Sequence, residues 1–380
     1  MSVADDNRPI ALAAGGTGGH MFPAEALAQE LKRRGRQVLL VSDARGARYA
    51  EGFPADEKFQ ISAATVSAGG LAAKGLAAIS VAQGIVTALG KFRKLKPAAA
   101  IGFGGYPSFP AMKAASLSGI PYGVHEQNGV LGRANRMLVR RAAFTAHAFP
   151  VLEKAPAGIH AVEVGNPVRD AVAALSDAAF APISADGDIN LLIFGGSQGA
   201  SIFSAAPVKA MAGLAEDMRR RLVVVHQVRE DDIEEVRAGY AAAGVRAEIA
   251  PFFTDLPARM AAAHLIVSRA GASTVTELSA IGRGAILVPL AIAMDDHQSG
   301  NAEVLARDIS GANAAIVLPE SGFNEISLRQ ALEGLFAEPA RLQLMAEAAK
   351  GRVRSGAAAA LADLVEGLCE GGPMRQSGAV

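Results

Sequence analysis

The chain of 380 residues has no net charge at pH 7, is 51% hydrophobic and 19% charged, and holds no low-complexity tract. That composition belongs to an ordinary globular protein with a large core. The single cysteine, Cys369, excludes a disulfide framework and a cysteine-based metal site within one chain, and it favours a reducing compartment.

The length favours two domains. Met1–Arg8 is polar and the first apolar run reads as a strand, so no secretory signal peptide is expected. That run, Ile10–Ala14, leads directly into Gly15-Gly16-Thr17-Gly18-Gly19-His20, and a helical pattern follows with Ala24, Leu27, Ala28 and Leu31 on one face. Strand, glycine-rich turn and helix N-terminus together hold an anion on backbone N–H groups. The loop is not a dinucleotide fingerprint, because from Gly16 the pattern requires glycine where Met21 stands. It also carries an imidazole, His20, where nucleoside triphosphatases carry Lys-Ser/Thr; a titratable ring beside a diphosphate loop points to transfer chemistry. A second copy follows 180 residues later: the apolar run Ile189–Phe194, then Gly195-Gly196-Ser197-Gln198-Gly199-Ala200. Two such starts indicate two similar α/β domains.

Apolar runs predict strands over 9–14, 37–42, 98–102, 121–125, 143–148 and 161–164 in the first half. In the second they predict 189–194, 221–226, 247–250, 264–268, 285–290 and 314–318. Helical patterns lie between them, which implies parallel sheets covered on both faces, with ligands at the C-terminal strand ends. A domain boundary is expected near Gly165-Asn166-Pro167, giving domains over 1–167 and 168–349. The last helical stretch, about 350–370, is expected to pack back on the first.

Charge is unevenly spread: residues 1–168 hold 19 Lys/Arg against 11 Asp/Glu, and the remainder holds 18 against 26. The longest uncharged stretch, Gly75–Gly90, has 16 residues, short of the ~20 that span a bilayer. Lys91, Arg93, Lys94 and Lys96 follow it at once. An apolar helix face beside such a cluster fits an anionic membrane surface, and equally a buried helix whose last turn carries cations that suit its dipole.

Further motifs fall at strand ends. Gly102-Phe103-Gly104-Gly105-Tyr106-Pro107-Ser108 is a close-approach loop, serving either a tight turn or a ligand contact. His125-Glu126-Gln127-Asn128 sets four polar side chains after a buried strand, where they must be satisfied by a loop network or by a substrate. Arg169 follows Gly165–Val168 as a hinge ion-pair partner or a fixed cation for phosphate. Ser268–Glu277 is a strand end, a small-residue turn and a helix start. Its N–H groups and hydroxyls suit a diphosphate and Glu277 suits ribose hydroxyls, while Thr274-x-x-Glu277 also fits a capping box. Asp295, Asp296 and His297 invite a metal, but three adjacent residues rarely converge on one ion, and hydrogen bonding to a sugar is the better use of 295–301.

These seven motifs, in this order and at these spacings, resemble the MurG family of bacterial cell-wall synthesis over nearly the whole chain. The resemblance implies an α/β GT-B fold, two Rossmann-like parallel-sheet domains facing each other across a cleft. It implies transfer of N-acetylglucosamine from UDP to the 4-hydroxyl of the muramoyl sugar of lipid I, forming lipid II with inversion, at the cytoplasmic face of the inner membrane as a peripheral protein. Carried over, Ser197 and the Ala272-Ser273-Thr274-Val275-Thr276 turn meet the donor's diphosphate, Glu277 the ribose, Gln298 the sugar hydroxyls, the Phe253 backbone the uracil, and Arg169 covers the nucleotide. Thr17, Gly18, Gly19 and Asn128 also count among the residues that bind UDP-N-acetylglucosamine, where the lipid diphosphate and transferred sugar meet, with Gly104, Gly105, Tyr106 and His125 on the acceptor side. His20 is the expected general base and Glu126 the alternative.

No cofactor, metal or nucleic acid is expected. The expected partners are UDP-N-acetylglucosamine, lipid I, an anionic membrane surface through 75–96, and other proteins of cell-wall assembly. The alternatives are another GT-B enzyme such as a UDP-N-acetylglucosamine 2-epimerase or a transferase for a soluble acceptor, or a UDP-sugar sensor without turnover. A nicotinamide dehydrogenase is disfavoured by the incomplete glycine fingerprint.

Overall fold

The computed structural model describes residues 8–63, 71–184, 186–196, 200–291, 296–307 and 312–370. The chain forms two compact units, one of residues 1–169 and 356–380 and the other of 170–355.

In the first unit β1 (Ile10–Ala13), β2 (Val38–Ser42), β3 (Glu57–Gln60), β4 (Ala99–Gly102), β5 (Tyr122–Glu126), β6 (Thr145–His147) and β7 (Ala161–Glu163) form one parallel sheet, ordered β3-β2-β1-β4-β5-β6-β7. Its helices are α1 (Gly18–Arg33), α2 (Ala47–Ala50), α3 (Leu71–Leu95), α4 (Gly105–Leu117) and α5 (Arg133–Leu138). Strand pleating sends alternate residues to opposite faces. Ile10 and Leu12 therefore pack with Leu27 and Leu31 of α1, while Ala11 and Ala13 pack with Ala88 and Phe92 of α3 and Met112 of α4. Strand order reverses between β1 and β4, and that is where ligands bind in open parallel sheets.

The second unit repeats the plan. Its strands β8 (Ile189–Phe194), β9 (Leu222–Gln227), β10 (Arg246–Ala250), β11 (Leu265–Ser268), β12 (Ala285–Leu287) and β13 (Ala315–Val317) run parallel in the order β10-β9-β8-β11-β12-β13. They alternate with α6 (Asp170–Ala173), α7 (Ile202–Ala212), α8 (Glu216–Arg221), α9 (Ile233–Ala243), α10 (Leu256–Ala262), α11 (Ala272–Ile281), α12 (His297–Ala306), α13 (Glu325–Phe336) and α14 (Pro339–Ala349). The reversal here falls between β8 and β11.

The last helix, α15 (Ala357–Cys369), belongs to the first unit and lies on α1. Its Leu361, Ala362 and Val365 join the α1 face of the core, and Arg34 at the end of α1 reaches Asp363 at 2.6 Å and Glu366 at 2.8 Å. The exposed ion pairs add little, so the apolar face holds the helix.

Helix α3 exceeds its uncharged stretch at both ends, because Lys74, Lys91, Arg93 and Lys94 sit at solvent-facing positions of one continuous 25-residue helix. Residues 73–95 are long and apolar enough to cross a membrane by length and composition. The helix nevertheless packs along α4 and gives Ala77, Ala88 and Phe92 to the interior.

Candidate active site

In the first unit the site grows from two glycine turns at the β1/β4 reversal. Gly16 has φ +83, and a Cβ on Gly15 would lie 2.6 Å from Asp43 Oδ1 and 2.7 Å from Pro107 Cγ. Only glycine fits there, since the Asp43–Gly46 turn and the start of α4 close on the loop from two sides. The Gly104–Gly105 turn comes equally close: a Cβ on Gly105 would sit 2.9 Å from Gly15 O. Ser108 Oγ ties the two together by bonding Ala13 O at 2.8 Å and Gly104 O at 2.6 Å. Thr17 N-caps α1 with extended backbone, and its side chain is not used as a cap. Its Oγ1 instead lies 3.3 Å from His20 Nδ1. The His20 ring edge reaches toward Gly104, where a Cβ would lie 3.2 Å from Nε2 and 3.6 Å from Asn135 Nδ2. Thr17, Gly18, Gly19, His20, Gly104, Gly105 and Tyr106 thus share one edge of the sheet.

Glu126, at the end of β5, is buried and accepts four hydrogen bonds. Oε1 takes Asn128 N and Nδ2, each at 3.1 Å; Oε2 takes Gly132 N and Asn135 Nδ2, each at 2.9 Å. A carboxylate has about four lone-pair sites, so all are occupied. The network fixes Asn128 half-exposed at the site. His125 is fully buried, with Nε2 2.9 Å from Gly165 O and Nδ1 3.2 Å from Gln127 Nε2. Burial pushes its pKa down to about 4, so it is neutral and joins strand end to strand end beneath the site. Arg169 stacks its guanidinium 3.7 Å above the Phe22 ring. Asn135, which the motif reading passed over, carries an Oδ1 that is buried without a hydrogen-bond partner. No sequence spacing marks it, because it lies on a six-residue helix that reads as a surface segment.

In the second unit the loops after β10, β11 and β12 carry the candidate residues. Helix α11 begins at Ala272 with Gly271 as N-cap and no side-chain cap. The expected capping box from Thr274 to Glu277 is therefore not formed: the N-cap falls three residues earlier, and both residues lie inside the helix. The N–H groups of Ala272, Ser273 and Thr274 occupy the first turn, where no intrahelical acceptor exists, and the helix dipole favours an anion there. Ser273 Oγ is buried with no hydrogen-bond partner, whereas Thr276 Oγ1 bonds back to Ala272 O at 2.8 Å. Val275 is buried in the core, and Glu277 is 7% exposed one turn further along.

The 288–291 loop is held by Arg269, which donates to Val288 O and Pro289 O and pairs with Glu320 at 2.7 Å. Glu320 in turn accepts from Ala291 N at 2.6 Å, and the Arg269 guanidinium holds its carboxyl below the usual range. Gln298 Oε1 accepts from Leu290 N at 3.0 Å, so its amide donors are left to point elsewhere. The Phe253 ring is buried under the Arg259 guanidinium at 4.2 Å, while Phe252 is exposed. Ser197 and Asp295 lie outside the described residues. Among the described residues no group of three or more His, Cys, Asp or Glu could hold a metal ion.

Comparison with known proteins fits this geometry. Residues 10–146 match the glycosyltransferase family 28 N-terminal domain and residues 190–363 its C-terminal domain. The UDP-N-acetylglucosamine--N-acetylmuramyl-(pentapeptide) pyrophosphoryl-undecaprenol N-acetylglucosamine transferase of Rhodospirillum centenum is 46% identical over 361 residues, 94% of each chain. The crystal structure of Acinetobacter baumannii MurG superposes with a TM-score of 0.72 at 32% identity, covering 94% of this chain and 99% of that one. A Neisseria meningitidis UDP-GlcNAc 2-epimerase (15% identity, TM-score 0.61, covering 93% of this chain and 98% of that one) shares the fold alone. With both sheets matched and its length spanned by such relatives, the chain belongs to glycosyltransferase family 28 and to the MurG transferases within it, and has the GT-B fold.

Proposed function

We infer that this chain transfers N-acetylglucosamine from UDP-N-acetylglucosamine to the 4-hydroxyl of the muramoyl sugar of lipid I, forming lipid II in peptidoglycan synthesis. The observation that carries this reading is the 46% identity to a transferase of that name across 94% of the chain. The second unit takes the donor. First-turn N–H groups of α11 and the Ser273 hydroxyl receive the diphosphate, Glu277 the ribose, Gln298 the sugar and the Phe253 backbone the uracil, with Ser197 and Arg169 adding to the phosphate contacts. The first unit takes the acceptor around Thr17–His20, Gly104–Tyr106 and Asn128.

Inversion follows from in-line attack. The 4-hydroxyl oxygen bonds to the anomeric carbon as the bond to the UDP oxygen breaks, and the hydroxyl proton goes to His20. His20 Nδ1 lies 3.3 Å from Thr17 Oγ1, a contact that holds the ring over the glycine loop. Glu126, with every lone-pair site occupied, positions Asn128 and Asn135 and does not act as base. The charge that grows on UDP is met by preorganised N–H dipoles.

Membrane association is part of the reading. Leu76, Ile79 and Val86 lie on one face of α3 and are 69%, 57% and 68% exposed, beside the Lys91–Lys96 cluster. A helix docked on its own unit with an apolar outer face and flanking cations suits a peripheral protein on the anionic cytoplasmic face of the inner membrane. Incubating UDP-N-acetylglucosamine with and without a short-chain lipid I analogue tests the function. A disaccharide-lipid formed only with the analogue is expected; UDP-N-acetylmannosamine formed from the donor alone would overturn it in favour of an epimerase.

A further inference from the structure

The turn after β2 lies on the first glycine loop, and none of the motifs above includes it. A Cβ on Gly46 would sit 3.3 Å from Gly15 Cα, so the two loops pack backbone to backbone. Asp43 joins them. Its side chain is 5% exposed; Oδ1 accepts Gly16 N and Gly46 N, both at 3.0 Å, and Oδ2 accepts Arg45 Nε at 2.9 Å and Nη2 at 2.7 Å. The Arg45 guanidinium then lies over the Tyr106 ring, Cζ 4.6 Å from its centroid. Its Nη2 is 3.9 Å from where a Cβ of Gly16 would be, and the side chain is 47% exposed.

Two backbone donors serve Asp43 Oδ1, and Arg45 takes both contacts on Oδ2. Its side chain is fixed from two directions, by a two-point carboxylate contact and by an aromatic face, directly above a loop whose glycines leave the backbone open to an anion. Such fixing removes most of the ordering cost that an exposed arginine otherwise pays on binding. Among the described residues Nη1 makes no hydrogen bond, on a guanidinium whose Nη2 and Cζ lie 3.9 and 4.0 Å from where a Cβ of Gly16 would be.

We propose that Arg45 is a binding residue for the acceptor's diphosphate, donating from Nη1 to a phosphate oxygen seated against the Gly15–Gly19 loop. Asp43 is its positioning residue, and Tyr106 is the platform that keeps the guanidinium flat above the loop. The proposal rests on the acceptor assignment given under Proposed function. It makes the first glycine loop a two-part anion site: backbone N–H groups from below and a guanidinium edge from the β2 turn.

The test uses the full chain with Arg45→Gln and Arg45→Lys, read by transfer to a short-chain lipid I analogue and by direct titration with farnesyl diphosphate. Loss of one charged hydrogen bond predicts that Arg45→Gln raises the acceptor KM roughly tenfold or more. It leaves the donor KM unchanged and weakens farnesyl diphosphate binding by the same factor. Arg45→Lys keeps the charge without the planar fork and falls between. An unchanged acceptor KM, or acceptor KM, donor KM and melting temperature moving together, overturns the proposal and leaves Arg45 a strut for the loop. If the wild type transfers nothing to the lipid analogue, the lipid I reading fails. The farnesyl diphosphate titration still decides Arg45: weaker binding to Arg45→Gln upholds the anion site, and equal binding removes it.

Discussion

Replacing Glu126 with glutamine separates a positioning role from a chemical one. The carboxylate is buried and accepts two donors on each oxygen, at 2.9–3.1 Å. Glutamine keeps one oxygen, and whichever way it turns its NH2 group faces two donors. Two charge-assisted hydrogen bonds are lost at about 1.5–3 kcal/mol each, so the first unit should lose roughly 3–6 kcal/mol. A domain of ordinary stability has about 5–15 kcal/mol in hand, so the variant folds with its transition moved down. At a urea m-value of about 2 kcal/mol/M the midpoint falls by roughly 2 M. The assay is urea unfolding followed by far-UV circular dichroism, with UDP binding measured alongside. UDP affinity should be retained, because the donor site is assigned to the second unit, while transfer falls with the integrity of the first. An unchanged midpoint together with a collapsed kcat would refute the argument and return Glu126 to the role of base.

The remaining expectations concern both units. Burial pushes the His125 pKa to about 4 and the His226 pKa to about 3, against an ordinary value near 6.5. Below about pH 6.5 the unfolded chain therefore binds protons that the folded chain refuses. Stability is whole above that pH and falls as pH drops toward those values, by roughly 3 and 5 kcal/mol at most; equal melting temperatures at pH 7.5 and 4.5 would refute it. Gly105→Ala must hold φ +73 with its Cβ 2.9 Å from Gly15 O, so it should cost about 1–3 kcal/mol and suppress transfer, measured by melting and turnover. Ser273→Ala removes an Oγ that no protein group bonds, so melting should hold within about 0.5 kcal/mol while the donor KM rises several-fold. Ile79→Glu with Val86→Glu should reduce sedimentation with phosphatidylglycerol vesicles and leave transfer to a detergent-dispersed short-chain acceptor intact.

The twelve strands read from apolar runs all exist, and the central ones are legible because a strand covered on both faces is nearly continuous in aliphatic residues. The strand that escaped notice, β3, is Glu57-Lys58-Phe59-Gln60 on the sheet edge, where solvent permits polar residues and erases the pattern. Strand ends were less legible. The run 285–290 leaves the ladder after Leu287, since Val288–Ala291 is held by Arg269 and Glu320 instead, contacts 19 to 51 residues apart in sequence. The start of α11 differs from its local signature for a similar reason: Ser273 and Thr274 are good caps in isolation, but Gly271 turns the chain earlier.

The glycine turns announced where a ligand could approach, because glycine at a positive φ has a local signature. The supports beneath them had none. Asp43 and Asn135 act through bonds to backbone atoms distant in sequence, and a lone Asp after a strand or an Asn on a short helix looks like any surface residue. The resemblance supplied residue roles that spacing alone left open between turn and ligand contact.

The central claim is tested most directly by supplying UDP-N-acetylglucosamine, radiolabelled in the sugar, together with a short-chain lipid I analogue in EDTA, and by determining the anomeric configuration of the product. The account expects label in the lipid as a β-linked disaccharide, at a rate that drops sharply in His20→Asn. Label that stays on the nucleotide while UDP-N-acetylglucosamine still binds, or an α-linked product, would contradict it.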